Sequence, residues 1–207
     1  MPAFPEHNTA LGSCVDETSV PVNRAIDLPA SHSTSTVWLM IQSREPEPSA
    51  EPLAIDLTSD EYFMGEALRQ ARFAYDADEV PVGAVIVRDG KIIARAFNQV
   101  ELLKDATAHA EILAITQAAN VLGNWRLEGA QLFVTKEPCP MCAGAIVLSR
   151  VRRLVFGVRD ERAGGAGSVF DITSAKGLNH TVEVVAGVKE SEARELLQSF
   201  FRPKRAT

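Results

Sequence analysis

The residues of this chain best able to do chemistry fall in two short segments, His109-Ala-Glu111 and Pro138-Cys139-Pro-Met-Cys142. Imidazole and thiolate are ligands that zinc prefers, and two cysteines three positions apart at the start of a helix project both sulfurs to one side. There the positive end of the helix dipole favours the thiolate forms. Pro140 suits that first turn, because it removes no needed hydrogen bond and presets the helical angle. One imidazole and two thiolates leave a tetrahedral zinc with a fourth position for water, which marks a catalytic site rather than a closed structural one. A carboxylate beside that water can take its proton and deliver it to a substrate, which makes Glu111 the candidate general acid and base. Each piece alone has a plainer explanation: His109 as a cap or packed histidine, the cysteines as a redox pair, Glu111 as a first-turn glutamate favoured by the helix dipole. Their joint occurrence argues for a catalytic zinc site.

The elements that must hold these residues are legible around them. Ser59-Asp60 can cap a helix whose apolar positions Phe63, Ala67, Leu68 and Ala71 fall at helical spacing, ending near Ala77. Two apolar runs, 82–87 and 91–97, flank Asp89-Gly90, a strong hairpin signal. A helix is expected from about Thr107 to Val121, stopping before Gly123, then a buried strand over 131–135 and a helix from Pro140 to about Arg150. Strands over 153–156 and 182–186 and a helix over 191–201 complete the pattern. Helices and strands alternate after the hairpin, which predicts an α/β fold: a three-layer α/β/α sandwich with a mixed five-stranded sheet. In a regular helix His109 and Glu111 would point about 200° apart, so an irregular first turn is expected there, with Asp105 and Thr107 as plausible caps.

Residues 1–56 are rich in Pro, Ser, Thr and acids and hold no sustained period, the composition of a disordered extension, so the catalytic domain is expected over 57–207. That extension contributes eight acids and two arginines. It therefore accounts for the whole formal charge of −6 and leaves the rest of the chain neutral. The acidic total does not argue against a nucleic-acid partner for the remainder. Of three cysteines, Cys14 stands alone in the extension, which speaks against a disulfide framework and for a reducing, cytoplasmic setting. No stretch has the length of a membrane span, so no membrane association is expected.

His-x-Glu followed by Pro-Cys-x-x-Cys is the signature of zinc nucleobase deaminases. Glu79-Val-Pro-Val-Gly-Ala-Val85, Thr107-Ala-His-Ala-Glu-Ile112, Glu137-Pro-Cys-Pro-Met-Cys-Ala-Gly-Ala145 and Val155-Phe-Gly-Val-Arg-Asp160 widen the likeness. With Gly165-Ala-Gly-Ser-Val-Phe-Asp171, Leu178-Asn-His180 and Phe200-Phe-Arg202, the stretch from Ser59 to Arg205 resembles the bacterial-type tRNA adenosine deaminases, of the cytidine/deoxycytidylate deaminase superfamily. The resemblance implies a cytidine deaminase-like fold and hydrolytic conversion of adenosine to inosine at the wobble position of a tRNA anticodon. It also implies one Zn2+ per subunit, a homodimer, and the anticodon stem-loop as partner. It further implies that Asn98 hydrogen-bonds the base, that the backbone of Ala110 lies beside the activated water, and that Pro81 and Val82 line the pocket.

Arg150, Arg152, Arg153, Arg159, Arg162, Arg202, Lys204 and Arg205 are available for phosphate contacts. Asp160 adjoins them in the Val-Arg-Asp segment. Phe200 and Phe201 can stack on unpaired bases, although their adjacency on a helix sends them in different directions, one of them toward the core. Lys136, Ala106 and Gln99 depart from the family's usual residues and bear on substrate range. Two rivals remain open: a free guanine or cytosine deaminase of the same fold, and a non-catalytic zinc-stabilised RNA-binding module, which would not need Glu111.

Overall fold

The computed structural model describes residues 56–204. Except for Asp56, the expected extension lies outside them, as do Cys14 and Arg205. Ten elements follow in order: α1 (Asp60–Asp76), β1 (Gly83–Arg88), β2 (Lys91–Phe97), α2 (Val100–Leu103), α3 (Ala110–Leu122), β3 (Gln131–Lys136), α4 (Pro140–Leu148), β4 (Arg153–Val158), β5 (Glu183–Ala186) and α5 (Glu190–Lys204). The strands form one sheet in the order β2-β1-β3-β4-β5. β1 pairs antiparallel with both β2 and β3, whereas β3, β4 and β5 run parallel, so the sheet is mixed as expected.

Strand periodicity explains the three layers. Ala84 and Ile86 of β1 face one side with Leu132, Val134, Leu154 and Phe156, where Ala110, Ala114 and Ala118 of α3 and Ile146 and Val147 of α4 cover them. The alternate residues Val85, Val87, Phe133 and Val155 face the other side and meet Phe63, Met64 and Ala67 of α1. Leu68, Val158 and Ala193 extend that second layer onto α5. Both faces of the sheet are thus apolar, which is why its strands read as continuous hydrophobic runs.

The hairpin turns on Asp89 and Gly90, both in the left-handed region at φ 50° and 71°, as a two-residue turn that follows the strand twist requires. Gly83 is required by close packing of a different kind. A Cβ there would stand 2.1 Å from the Ala67 carbonyl oxygen and 2.3 Å from the Ala71 nitrogen, so only glycine lets α1 lie this close to β1.

Two differences from the sequence expectation bear on the site. The third helix begins at Ala110 rather than Thr107. Asp105 Oδ1 accepts from the Thr107 N–H at 2.8 Å and from its hydroxyl at 2.7 Å, closing a local turn that competes with helix and holds residues 105–109 outside it. The short α2, four residues long, was not expected, because a single turn offers no period to read.

Candidate active site

The site is built where two helices begin. His109 is the N-cap of α3 and Cys139 the N-cap of α4, both with extended backbones, and Cys142 sits in the first turn of α4. Because His109 stands outside the helix at ψ 150°, the angular separation expected of neighbours in a regular helix does not apply. His109 and Glu111 line the same cavity as Cys139. His109 Nδ1 lies 3.4 Å from Cys142 Sγ and 3.7 Å from Cys139 Sγ, and the three donor atoms all fall within 4.8 Å of one another. Zinc bonds of about 2.3 Å to sulfur and 2.0 Å to nitrogen would put those donors roughly 3.5 Å apart in a tetrahedron, so the spacing fits a metal ion.

The donors' protonation is coupled. Cys142 donates a hydrogen bond to Cys139, which, with His109, holds the Cys139 thiol down at about 3, while the same bond and burial push Cys142 up. Hydrogen bonding to Cys139 raises His109, against the opposing effect of burial. A metal would bind by displacing the protons these groups now share. Glu111 is 4% exposed, and burial pushes its carboxyl above the ordinary range, with His109 acting against the shift. That environment suits a group that must hold a proton and release it.

The cavity measures about 500 Å³. Val82 and Asn98 line it; Pro81 is buried between its lining neighbours Val80 and Val82 but does not line it itself, and Ala110, fully buried, does not line it either. Asn98 is held from behind. Its Nδ2 donates to Glu79 Oε2 at 3.1 Å, and Glu79 Oε1 accepts from the Leu102 N–H at 2.7 Å. A carboxylate only accepts, so the amide must turn its NH2 group to Glu79, leaving the carbonyl oxygen and one N–H for a ligand.

Glu79 and Glu137 line the cavity and hold its other groups, a part that sequence reasoning did not assign to them. Glu137, 2% exposed, fastens the segment after β4 to the site. Its Oε1 accepts from the Ala166 and Ser168 N–H groups at 3.1 and 3.0 Å; its Oε2 accepts from the Asp160 N–H at 2.9 Å and from the Ser168 hydroxyl. Burial alone would raise this carboxyl, but the four donors hold it below its ordinary value. Gly165 completes the fastening: its N–H donates to the Pro138 carbonyl at 2.7 Å, and a Cβ there would meet the Cys139 carbonyl carbon, Pro140 N and Ala143 Cβ, all at 3.0 Å. The only signal for either glutamate was its place in a quoted segment, since their partners lie 19 to 31 residues away.

The expected RNA contacts divide. Phe201 is half-buried and lines the cavity; Phe200 also lines it but is 5% exposed and packs edge-on against Tyr75 and Phe201. Arg159 is exposed over the Phe156 ring, Arg202 is exposed on α5, and Asp160 pairs with Lys136. Arg153 does not belong with them: it forms a two-pronged pair with Asp60 at 2.7 and 2.8 Å and a third contact with Glu183, tying α1 to the sheet. Arg150 likewise donates to Asn179, and His180 meets the Val151 carbonyl oxygen at 2.7 Å.

Residues 58–205 match the family described as MafB19-like deaminase. A tRNA-specific adenosine deaminase of Bacillus subtilis is 50% identical over 149 residues, covering 72% of this chain and 92% of that protein. The chain belongs to the tRNA-specific adenosine deaminase family. Within that family, the Aquifex aeolicus protein is also 50% identical, over 70% of this chain and 95% of its own length. A solved structure from work on A-to-I editing by tRNA:A34 deaminases superposes with a TM-score of 0.64 at 48% identity, over 66% of this chain and 99% of that one. A guanine deaminase of Nitrosomonas europaea shares the fold with a TM-score of 0.62 but only 28% identity, over 69% of this chain and 85% of its own. The free-base rival is thus the more distant relative.

Proposed function

We propose that this deaminase converts adenosine to inosine at the wobble position of a tRNA anticodon, as a zinc-dependent homodimer of the cytoplasm. The observation that carries the reading is a buried carboxylate, Glu111, lining one cavity with His109 and Cys139 of a three-donor cluster completed by Cys142, in a chain 50% identical over 149 residues to a tRNA-specific adenosine deaminase. His109, Cys139 and Cys142 would hold the metal, and zinc, when bound, supplies Lewis-acid activation of water near neutral pH.

The chain's own groups do the rest. Glu111 takes a proton from the attacking water and passes it to the ring nitrogen beside C6 as the water oxygen adds there. It then takes the proton of the new C6 hydroxyl and hands it to the amine, so that the C6–N bond breaks, ammonia leaves and the C6 carbonyl of inosine forms. Asn98, fixed by Glu79, orients the base, and the apolar wall at Val82 excludes bulk water. The base must leave its stack to reach this depth, which an unpaired anticodon loop allows at low cost.

Incubating the zinc-loaded protein separately with an anticodon stem-loop bearing a wobble adenosine, with guanine and with cytosine tests the reading. Inosine from the stem-loop and no product from the free bases is expected. Deamination of guanine or cytosine with an inert stem-loop would replace the reading with that of a free-base enzyme. Zinc binding without turnover on any of them would leave an RNA-binding module.

A further inference from the structure

The walls of the active cavity carry more acidic than basic side chains. Asp78, Glu79, Glu101, Glu111 and Glu137 all line it, and among the described lining residues Lys136 is the sole lysine or arginine. A free base could enter such a cavity without electrostatic cost. A nucleotide within a chain could not, because it brings phosphodiester charges to the mouth.

Lys136 is placed to meet them. It is the last residue of β3, and its side chain is 30% exposed. Its ammonium is pinned by Asp160, whose Oδ2 pairs with it while Oδ1 accepts from the Arg162 N–H at 3.1 Å and whose own N–H is held by Glu137. An ammonium has three N–H donors, and Asp160 takes one. Lys136 and Phe201 also line a second cavity of about 590 Å³, where Arg159, Arg162 and Arg194 stand among Asp160, Glu161 and Glu190, the last of which pairs with Arg194. The two cavities therefore share a wall made of one cation and one aromatic ring, and a strand with its base in the first meets Lys136 at that wall and Arg159 and Arg162 beyond it.

We propose that Lys136 is a specificity-determining residue that holds a phosphate of the nucleotide flanking the target base and leads the strand out of the acidic cavity toward Arg159 and Arg162. The assignment rests on the polynucleotide substrate proposed above. It makes this enzyme's preference for a base within a strand partly electrostatic: the same contact that attracts a phosphodiester gives nothing to a free base.

Equilibrium binding of a labelled anticodon stem-loop to the zinc-loaded protein, across a series of salt concentrations, tests it for the wild type, Lys136→Met and Lys136→Arg, with thermal melting of each. Lys136→Met should weaken binding about fivefold and reduce the slope of log Kd against log salt by about 0.7, the loss of one phosphate contact on a single strand. Lys136→Arg should restore the slope. A Lys136→Met protein with the wild-type slope, whether or not its affinity falls, would overturn the proposal, as would failure of Lys136→Arg to restore the slope when it melts like the wild type. Inosine formation by the wild type on the same stem-loop is read alongside. Its absence would remove the tRNA reading itself, an outcome separate from inosine being formed with a slope that ignores Lys136.

Discussion

At the scale of single residues, the site works by giving chemically similar groups different surroundings. Glu111 and Glu137 are both buried carboxyls beside the same cavity. Burial pushes the Glu111 carboxyl up, as its proposed role of proton carrier requires, whereas four donors hold Glu137 down as a carboxylate. Replacing Glu111 by Gln should lower kcat by about 10²- to 10⁴-fold while zinc content stays at one ion per chain, since the amide cannot carry the proton. Unchanged turnover, or zinc lost with activity, would contradict that division of labour. Glu137 makes a pH-dependent prediction. A carboxyl whose folded-state value lies below its ordinary 4.5 stabilises the fold above that pH and loses its contribution as pH falls through the lowered value. Glu137→Gln should therefore cost about 1–3 kcal/mol at neutral pH, with the deficit against wild type shrinking below pH 4.5. Denaturant unfolding at stepped pH reads this directly.

At the scale of elements, the sheet was legible and the loops that finish the site were not. Asp89-Gly90 between two apolar runs announced the β1–β2 hairpin, and apolar stretches on both sides of Pro140 announced β3, α4 and β4. The start of α3 was misplaced because a side chain, Asp105, competes with the backbone for the helix's first turns, a contest that periodicity does not register. The segment 160–173 carries neither period. Its order comes from Glu137 and from the contact of Gly165 with the start of α4, both long-range. Gly165→Ala should accordingly push against the Cys139–Pro140 backbone and weaken zinc binding by about tenfold, as disturbed supporting contacts do, with a smaller effect on the melting midpoint. Competition with a metallochromic chelator measures it; wild-type zinc affinity would show that the contact is incidental.

At the scale of the whole molecule, the family match begins at residue 58, close to where the sequence changes from an acidic, unpatterned composition to helix. We propose that the catalytic domain is complete from Leu57 onward. A chain truncated there should keep the kcat and KM of the full protein on the stem-loop, and lost activity would give the extension a role that its composition does not suggest. The domain's family could be read in the sequence because the His109-x-Glu111 and Pro138-Cys-x-x-Cys142 segments and the stretches around them concentrate the likeness into a few residue types at fixed spacing. The charge arrangement around the cavity mouth could not, because it joins residues from β3, the segment after β4 and α5. No helix among the described residues is long and apolar enough to cross a membrane. The central claim is tested most directly by nucleoside analysis of a wobble-adenosine stem-loop after incubation with the purified protein, first zinc-loaded, then stripped by a chelator, then resupplied with zinc. Inosine that appears, disappears and returns in that order is the expected result; a stem-loop still wholly adenosine after treatment with the zinc-loaded protein would contradict it.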